Sequence, residues 1–344
     1  MSKRKEEQCF IRYHRREALM PFTFSHPLYA APLRRLAPAL SLSGLVLGSM
    51  IPDMEYFIAM NSYRSIGHSL TGFIGMGIPL SLAFLSAWEN ILKPVLPKLL
   101  PSLGGVDRYA ETLLGRRDNT PASAAGWALL LVSLFIGFWS HLFVDGMTHT
   151  NGWLVARHHS LYRIEAGLPL YKWLQYGLSL LGLLLPGVWL LGNYIRWYMK
   201  EGRRRKRSKP APKWGAAAAA AFAGFLLLAG KILFEPNADN IVLWLVAGCS
   251  AALFGWFVAG VLSAGAQRKR LPAAMMGLLL LAVLIAAFKG YRMAAELSYG
   301  IQGQGTAAWL LYIWLFSLGV WLLSRIGGSG MARADHSGGI RMFR

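Results

Sequence analysis

Long apolar runs are the feature of this sequence that most restricts its fold. Runs of roughly 17–25 apolar residues, each enough to cross the ~30 Å hydrocarbon layer of a bilayer, recur along the 344-residue chain. Only 15% of the residues are charged, against about a quarter in a typical soluble domain. We therefore predict an all-α fold, a polytopic transmembrane helical bundle of about seven or eight spans. The candidate spans are 36–52, 70–90, 124–145, 172–198, 214–234, 241–263, 271–288 and 306–325.

The net charge of +20 is explained by membrane topology rather than by a nucleic-acid partner. The basic residues cluster in "KEGRRRKRSKPAPK" (200–213), in "QRKR" (267–270) and after Ser324, all beside predicted spans. Short cytoplasmic loops carry an excess of Lys and Arg, and such clusters also attract anionic lipid headgroups. No recognisable nucleic-acid-binding motif accompanies the charge. The predicted partners are therefore the lipid bilayer and its anionic headgroups, with no nucleic acid expected.

The same basic loops predict the orientation of the chain. With eight spans, the basic loops share one face with both termini, and the positive-inside rule makes that face cytoplasmic. These loops are 91–123, 199–213 and 264–270. The opposite, outward face receives loops 53–69, 146–171, 235–240 and 289–305.

Four segments are predicted along the chain. They are a disordered basic tail over 1–19, an N-terminal helical membrane domain over 20–170, C-terminal transmembrane helices over 171–326 with the basic loop 200–213, and a flexible tail over 327–344. We expect no cleavable signal peptide, because "MSKRKEEQCFIRYHRRE" is not followed by the usual apolar core and cleavage site. Alternatively to a disordered tail, residues 1–19 are an extension upstream of a start at Met20. Two cysteines, Cys9 and Cys249, form neither a disulfide framework nor a thiolate metal site.

Imidazole and carboxylate groups collect at the ends of three predicted spans. Asp53, in "GSMIPDMEYF", ends the first span, and His68, in "SIGHSLTG", opens the second at the same face. His141, Asp145 and His149 fall in "SHLFVDGMTHTNGW", at the same end of the third span. Side chains four residues apart stack on one helix face. His141 and Asp145 therefore form a row, which His149 extends if the helix continues that far.

This combination predicts a divalent metal site. Neutral imidazole and carboxylate are the ligands of Zn²⁺ and related ions in sites without thiolates. Asp53 and Asp145 are the candidate catalytic groups, because a carboxylate beside a metal can orient an imidazole ligand or take the proton of the attacking water. Phosphoesterases often bind two metals, and the candidate ligands suffice for two. The predicted cofactor is zinc, and the predicted ligands are His26, Asp53, His68, His141, Asp145 and His149.

Each of these residues also has a plainer interpretation. A single His or Asp at a helix end is often a cap or an interfacial polar group, and Asp53 after Pro52 could shape a turn. Asp145 fits this interpretation poorly, because ionisable groups within spans usually face partners or a functional cavity. His158 and His159, in "ARHHSLYR", are interpreted as loop residues. Histidines on spanning helices also suit a haem-binding protein, and the same groups suit ion passage in a transporter, so both classes stay open.

Several short motifs carry a family resemblance. "MPFTFSHP", "LGSMIPDMEYF", "GHSLTG", "SHLFVDGMTHTNGW" and "LPLYKWLQYG" resemble the bacterial membrane-protein family labelled domain of unknown function 4184, closely over residues 20–180. The order of an early His, a Pro-Asp, a Gly-His and a His-x-x-x-Asp is also similar to membrane-bound metal-dependent hydrolases. These resemble, more distantly, zinc-dependent phospholipases C and single-strand nucleases. The resemblance implies a metal-dependent hydrolase in the bacterial cytoplasmic membrane, with phosphoesters among its candidate substrates. The charge distribution predicts that its site faces outward. One departure is that the related hydrolases carry His-Arg and Thr-His where this chain has only "GHSLTG".

His26, in "PFTFSHPLYAAPLRR", raises a topological question. If 36–52 crosses the membrane, His26 lies a bilayer away from Asp53 and cannot join the site. That span is the weakest of the eight, because it is short and carries Pro38. A re-entrant hairpin over 27–52, tolerated at membrane depth only when buried in protein, would return His26 to the site, as would an N-terminal segment that dips in from the outer side. The resemblance favours His26 as a ligand and the charge distribution does not.

Overall fold

The protein is described by a computed structural model over residues 23–60, 65–115, 121, 123–202, 214–233, 241–299 and 305–328. The predicted tail at 1–19, most of the tail at 327–344 and most of the basic loop 200–213 lie outside these residues. Seven helices are long and apolar enough to cross a membrane, which confirms the prediction of an all-α polytopic membrane protein. They are Leu70–Leu99, Ala124–Thr148, Leu170–Gly202, Gly215–Leu233, Trp244–Gln267, Leu271–Ala295 and Thr306–Gly327.

Short helices precede the first of these spans, and one lies between the first and second. Helices α1 to α4 are Pro27–Ala30, Leu33–Leu36, Leu42–Met50 and Met54–Ala59, with 3-10 turns at Thr23–Ser25 and Ile51–Asp53. The long helix α5, Leu70–Leu99, contains two π-helical turns, and α6 is Val106–Leu114. Helices α7 to α12 are Ala124–Thr148, Leu170–Gly202, Trp214–Leu233, Ile241–Gln267, Leu271–Tyr299 and Thr306–Gly328. The only strands among the described residues are the antiparallel pair Ile164–Glu165 and Leu168–Pro169.

One predicted span is corrected, because residues 36–52 do not form a spanning helix. Helix α3 has nine residues, which makes it about 13 Å long at 1.5 Å per residue, less than half of the hydrocarbon layer. Helix α2 ends at Leu36, before Pro38, and helix begins again only at Leu42. The Ser41 hydroxyl marks that start by accepting a hydrogen bond from the Gly44 N–H at 3.2 Å.

Residues 26–50 form a hairpin of short helices. At its open end the ring of His26 stacks on the ring of His141, and the same His141 is hydrogen-bonded to the Ser49 carbonyl. Further along, Ala30 and Leu45 are buried in one apolar cluster. The chain therefore turns back between α2 and α3. This is the hairpin arrangement that returns His26 to the candidate site.

Helices α3 and α7 pack backbone to backbone because glycine lies at both contacts. A Cβ at Gly48 would collide with the Leu134 carbonyl, and a Cβ at Gly137 would collide with the Leu45 carbonyl. Any larger residue at these positions would push the two helices apart.

The two helices run in the same direction. The Ser41 N–H donates to the Ser133 hydroxyl at 2.9 Å, and eight residues later in both helices His141 meets Ser49. Asp53, three residues beyond α3, is therefore delivered to the same end of α7 as His141.

Contacts between residues divide the chain into two compact units. The first comprises Met1–Ser81, Asp118–Trp197 and Leu228–Ser250, and the second comprises Leu82–Arg117, Tyr198–Leu227 and Ala251–Arg344. Every candidate site residue belongs to the first unit. The second unit has an apolar core of Ala83, Ala87, Ile91, Phe257, Val261, Ala274, Leu281, Val320 and Leu323.

Candidate metal centre

Five of the six predicted ligands meet in the first unit. The Nε2 atom of His68 lies 3.4 Å from Asp53 Oδ1 and 3.6 Å from Asp145 Oδ2. The Nε2 atom of His141 lies 3.6 Å from Asp53 Oδ1 and 3.3 Å from Asp145 Oδ2. The Nε2 atom of His26 lies 3.6 Å from Asp145 Oδ1. Four separate parts of the chain, at residues 26, 53, 68 and 141–145, thus bring these side chains together in what we call the His–Asp cluster.

The His–Asp cluster is buried. His26, Asp53, His141 and Asp145 are exposed by 1%, 3%, 0% and 7%, and the His68 side chain by 9%. Ionisable groups removed from water require hydrogen bonds, opposite charges or a metal ion to offset the lost hydration. Within the cluster, the pairs of imidazole and carboxylate supply such opposite charges.

The orientation of His141 follows from its contact with α3. Its Nδ1 lies 2.7 Å from the Ser49 carbonyl oxygen. Because a carbonyl can only accept, Nδ1 carries the hydrogen, and the lone pair of the neutral ring is on Nε2, which faces the two carboxylates. Histidine ligands of metals are commonly held in this way by a carbonyl or carboxylate on the other ring nitrogen.

Asp53 is held by the segment that precedes the hairpin. The Thr23 hydroxyl donates to Asp53 Oδ2 at 2.8 Å, which leaves Oδ1 directed at His68 and His141. The 3-10 turn Ile51–Asp53, formed where Pro52 follows the end of α3, brings this carboxylate to His68 and His141. Asp53 was predictable from the sequence but Thr23 was not, since a threonine in a loop carries no comparable signal.

Glu55 positions the turn that carries His68. This carboxylate is fully buried and accepts hydrogen bonds from the Ser65 N–H at 2.6 Å, from the Ser65 hydroxyl at 2.9 Å and from the Gly67 N–H. Gly67 is needed here because a Cβ would collide with Glu55 and with the Pro52 carbonyl. Glu55 was not predicted from the sequence, although a carboxylate within the apolar stretch "MEYF" was an available signal.

The groups of the cluster that lie outside the spans have shifted pKa values. Burial, together with the nearby His141, lowers the pKa of His26 to about 4. Burial alone would lower the pKa of His68, but its contacts with Asp145 and Asp53 outweigh it and raise that pKa. Burial alone would raise the pKa of Asp53, but the neighbouring imidazoles of His141 and His68 lower it. Near neutral pH, His26 is therefore an uncharged imidazole and Asp53 a carboxylate, the forms that bind cations.

His149, the sixth predicted ligand, lies beside the cluster. Helix α7 ends at Thr148, and the His149 Nδ1 is hydrogen-bonded to the Asp145 carbonyl at 2.8 Å, with its side chain one-third exposed. It belongs to neither of the two groups of close ligand atoms found among the described residues. His158 and His159 lie exposed between α7 and α8, as expected for loop residues.

The distances in the cluster suit a shared cation. Separations of 3.3–3.6 Å exceed the usual 2.7–3.2 Å of a hydrogen bond. Two ligand atoms of a tetrahedral zinc ion, each about 2.0–2.1 Å from the metal, lie about 3.3 Å apart. Among the described residues, Nε2 of His26, Nε2 of His141 and Oδ1 of Asp145 have no hydrogen-bond partner. Close ligand atoms form two groups that share His141, namely His26, Asp53, His141 and His68, His141, Asp145.

The fold and the cluster define a polytopic α-helical membrane protein with a buried group of histidines and aspartates in one of its two units. The model of the family described as a domain of unknown function (DUF4184) matches residues 20–288. The match covers more than half of the chain, and the protein belongs to this family. It also extends well beyond residue 180, where the close resemblance of the motifs ended. No curated protein and no solved structure matches the chain.

Proposed function

We propose that this protein is a membrane-embedded, metal-dependent hydrolase whose divalent cation, foremost zinc, is bound by the His–Asp cluster. One observation carries the proposal: four buried side chains and the largely buried His68, from four parts of the chain, place nitrogen and oxygen atoms 3.3–3.6 Å from one another in two groups that share His141. Burial of such groups without a partner is costly. A cation in either group would give its three ligand atoms a partner.

The residues of the cluster fit the roles that hydrolysis needs. A divalent cation in such a site lowers the pKa of a bound water to about 7 and polarises a phosphoryl oxygen. Asp53 is fixed by Thr23 and presents a single oxygen, which suits a ligand. Asp145 presents Oδ2 to His141 and His68, while its Oδ1 has no hydrogen-bond partner among the described residues. Asp145 Oδ1 is therefore the candidate acceptor of the water proton.

The place of the cluster favours a lipid-borne phosphoester as substrate. His141 lies seven residues before the end of α7, about 10 Å along the helix. On the opposite side of the same helix, Trp139 and Phe143 are 54% and 57% exposed, as expected for side chains in contact with lipid. A phosphate group at the head of a lipid would meet the membrane at this depth.

The stacking of two histidine rings argues against haem ligation. The ring centroids of His26 and His141 are 3.9 Å apart, with 26° between the ring planes. Two axial ligands of haem iron hold the macrocycle between them, and stacked rings at this distance leave no room for it.

Hydrolysis of chromogenic phosphate esters tests the proposed activity. We expect the zinc-loaded protein in detergent to release p-nitrophenol from p-nitrophenyl phosphate or from its bis-ester. Asp145→Asn should lower kcat by about 100-fold or more, the size of effect seen when a proton acceptor is lost. Asp107→Asn, which changes an aspartate of α6 in the second unit, is the matched control. Equal turnover by Asp145→Asn and Asp107→Asn would contradict the assignment.

We further propose that the cluster faces outward. With seven spans, residues 23–69 lie on the face opposite the basic loops 203–213 and 268–270, and the positive-inside rule makes the basic face cytoplasmic. In a variant without Cys9 and Cys249, Arg157→Cys should react with a membrane-impermeant maleimide in intact cells. Arg270→Cys should react only after permeabilisation. The reverse pattern would overturn this orientation.

Glu55 offers a test of how His68 is held. Glu55→Gln keeps the size of the side chain but turns one acceptor oxygen into an NH₂ group that faces a backbone donor. We expect zinc affinity to fall about 10- to 100-fold, the range for residues that hold metal ligands, when measured by competition with a chelating dye. In a His68→Ala background, Glu55→Gln should change the affinity no further. An equal loss in both backgrounds would show that Glu55 does not act through His68.

A further inference from the structure

Lys172 and Gln175 form a buried polar pair at the beginning of α8. They lie in "LPLYKWLQYG", a motif to which the His–Asp cluster assigns no role. Lys172 is 9% exposed and Gln175 is 1% exposed, and the Lys172 ammonium donates a hydrogen bond to Gln175 Oε1 at 3.1 Å. Ionisable groups within spanning segments are costly and usually serve a function.

The contact with Lys172 determines which way the Gln175 amide points. An ammonium group can only donate, so the amide oxygen must face Lys172 and the NH₂ group must point elsewhere. Among the described residues, this buried Nε2 has no hydrogen-bond partner. Buried polar groups in proteins are nearly always satisfied. The partner that Gln175 requires is therefore a hydrogen-bond acceptor.

The pair lies close to the segment that carries His26. One turn after Gln175, the carbonyl of Leu178 accepts a hydrogen bond from the Tyr29 hydroxyl at 2.6 Å. One turn further, Gly182 packs so closely on Ser25 that a Cβ there would collide with it. Residues 175, 178 and 182 lie on one face of α8, because their spacings are three and four. That face therefore packs against the chain on both sides of His26.

We propose that Lys172 and Gln175 bind the anionic oxygens of a phosphate group on the substrate of the His–Asp cluster. This inference rests on the proposed function and specifies the substrate as a phosphate ester rather than a neutral ester or amide. Lysine binds phosphate as a point charge, so the Lys172 ammonium can attract the anion without a fixed hydrogen-bond geometry. The NH₂ group of Gln175 supplies a hydrogen-bond donor. The positive end of the α8 dipole adds to the attraction for an anion at this place.

Binding of inorganic phosphate to the zinc-loaded full-length protein in detergent tests this inference. We expect Lys172→Met to weaken phosphate binding at least tenfold in calorimetry, with the zinc content unchanged. Gln175→Glu keeps an acceptor for Lys172 but replaces the donor with a negative charge, and should weaken phosphate binding at least as much. With p-nitrophenyl phosphate as substrate, both changes should raise KM more than they lower kcat. Lys231→Met, which changes a buried lysine of α9, is the matched control.

Each outcome separates this inference from the proposed function. The phosphate site is overturned if all three variants, Lys172→Met, Gln175→Glu and Lys231→Met, bind phosphate equally at normal zinc content. The proposed metal site would not be affected by that result. If Lys172→Met melts well below the wild type, Gln175→Glu decides in the same way. Wild-type protein without zinc would contradict the proposed function. In zinc-free wild-type protein, phosphate binding that is lost in Lys172→Met would support the proposed phosphate site. Phosphate binding that persists in Lys172→Met would overturn it.

Discussion

Replacing His141 or Asp145 by alanine is expected to remove the bound metal almost completely. His141 belongs to both groups of close ligand atoms, and Asp145 approaches all three histidines of the cluster. Either change would therefore remove a proposed ligand that the other groups cannot replace. Elemental analysis of detergent-purified protein should find zinc in the wild type and less than about a tenth of that amount in His141→Ala and Asp145→Ala, since catalytic zinc sites usually have only three protein ligands.

The control for this experiment is His159→Ala, which removes an exposed histidine of the α7–α8 connection. It should retain the zinc content of the wild type. Equal metal content in the wild type and in all three variants would leave these residues with structural roles only, as caps and interfacial polar groups. A lower melting temperature without any loss of metal would lead to the same conclusion.

Gly137→Leu is expected to break the contact between α3 and α7. Leucine is apolar and a good helix former, so α7 itself should tolerate it, and the effect should be steric. The new side chain would collide with the Leu45 carbonyl and the Ser49 N–H, which belong to backbone that cannot turn aside. We expect a loss of about 3 kcal/mol or more in the free energy of unfolding, at the upper end of overpacking effects. Zinc should be lost as well, because the Ser49 carbonyl would no longer hold His141.

Thermal unfolding in detergent and zinc analysis of the same samples would measure both effects. Gly187→Leu is the matched control, because a Cβ at this glycine of α8 meets nothing within 4 Å. It should stay within about 0.5 kcal/mol of the wild type, as substitutions away from packed contacts usually do. If Gly137→Leu unfolded at the same temperature as Gly187→Leu, the close approach of α3 and α7 would be disproved.

Part of the candidate site was predictable because it depends on local spacing. His141 and Asp145 lie four residues apart in a helix, so one face must carry both. Asp53 and His68 lie beside polar turns at the ends of apolar segments, which places them near one membrane face. The same spacing rule also included His149, but α7 ends at Thr148 and the side chain turns back to the Asp145 carbonyl. Local spacing applies only as far as the helix continues.

The helical membrane fold was determined by the sequence alone, because the length and hydropathy of a segment decide whether it can cross a bilayer. The tertiary structure alone decided that residues 26–50 turn back rather than cross. That outcome depends on Gly48 and Gly137, which allow the backbones of α3 and α7 to come into contact. The sequence of residues 26–50 alone does not indicate that α7 is the helix they pack against. The contacts that orient His141 and His68, through Ser49 and Glu55, depend on the same long-range packing. Apolar surface is a property of each segment, whereas a binding site is made by segments that meet only after folding.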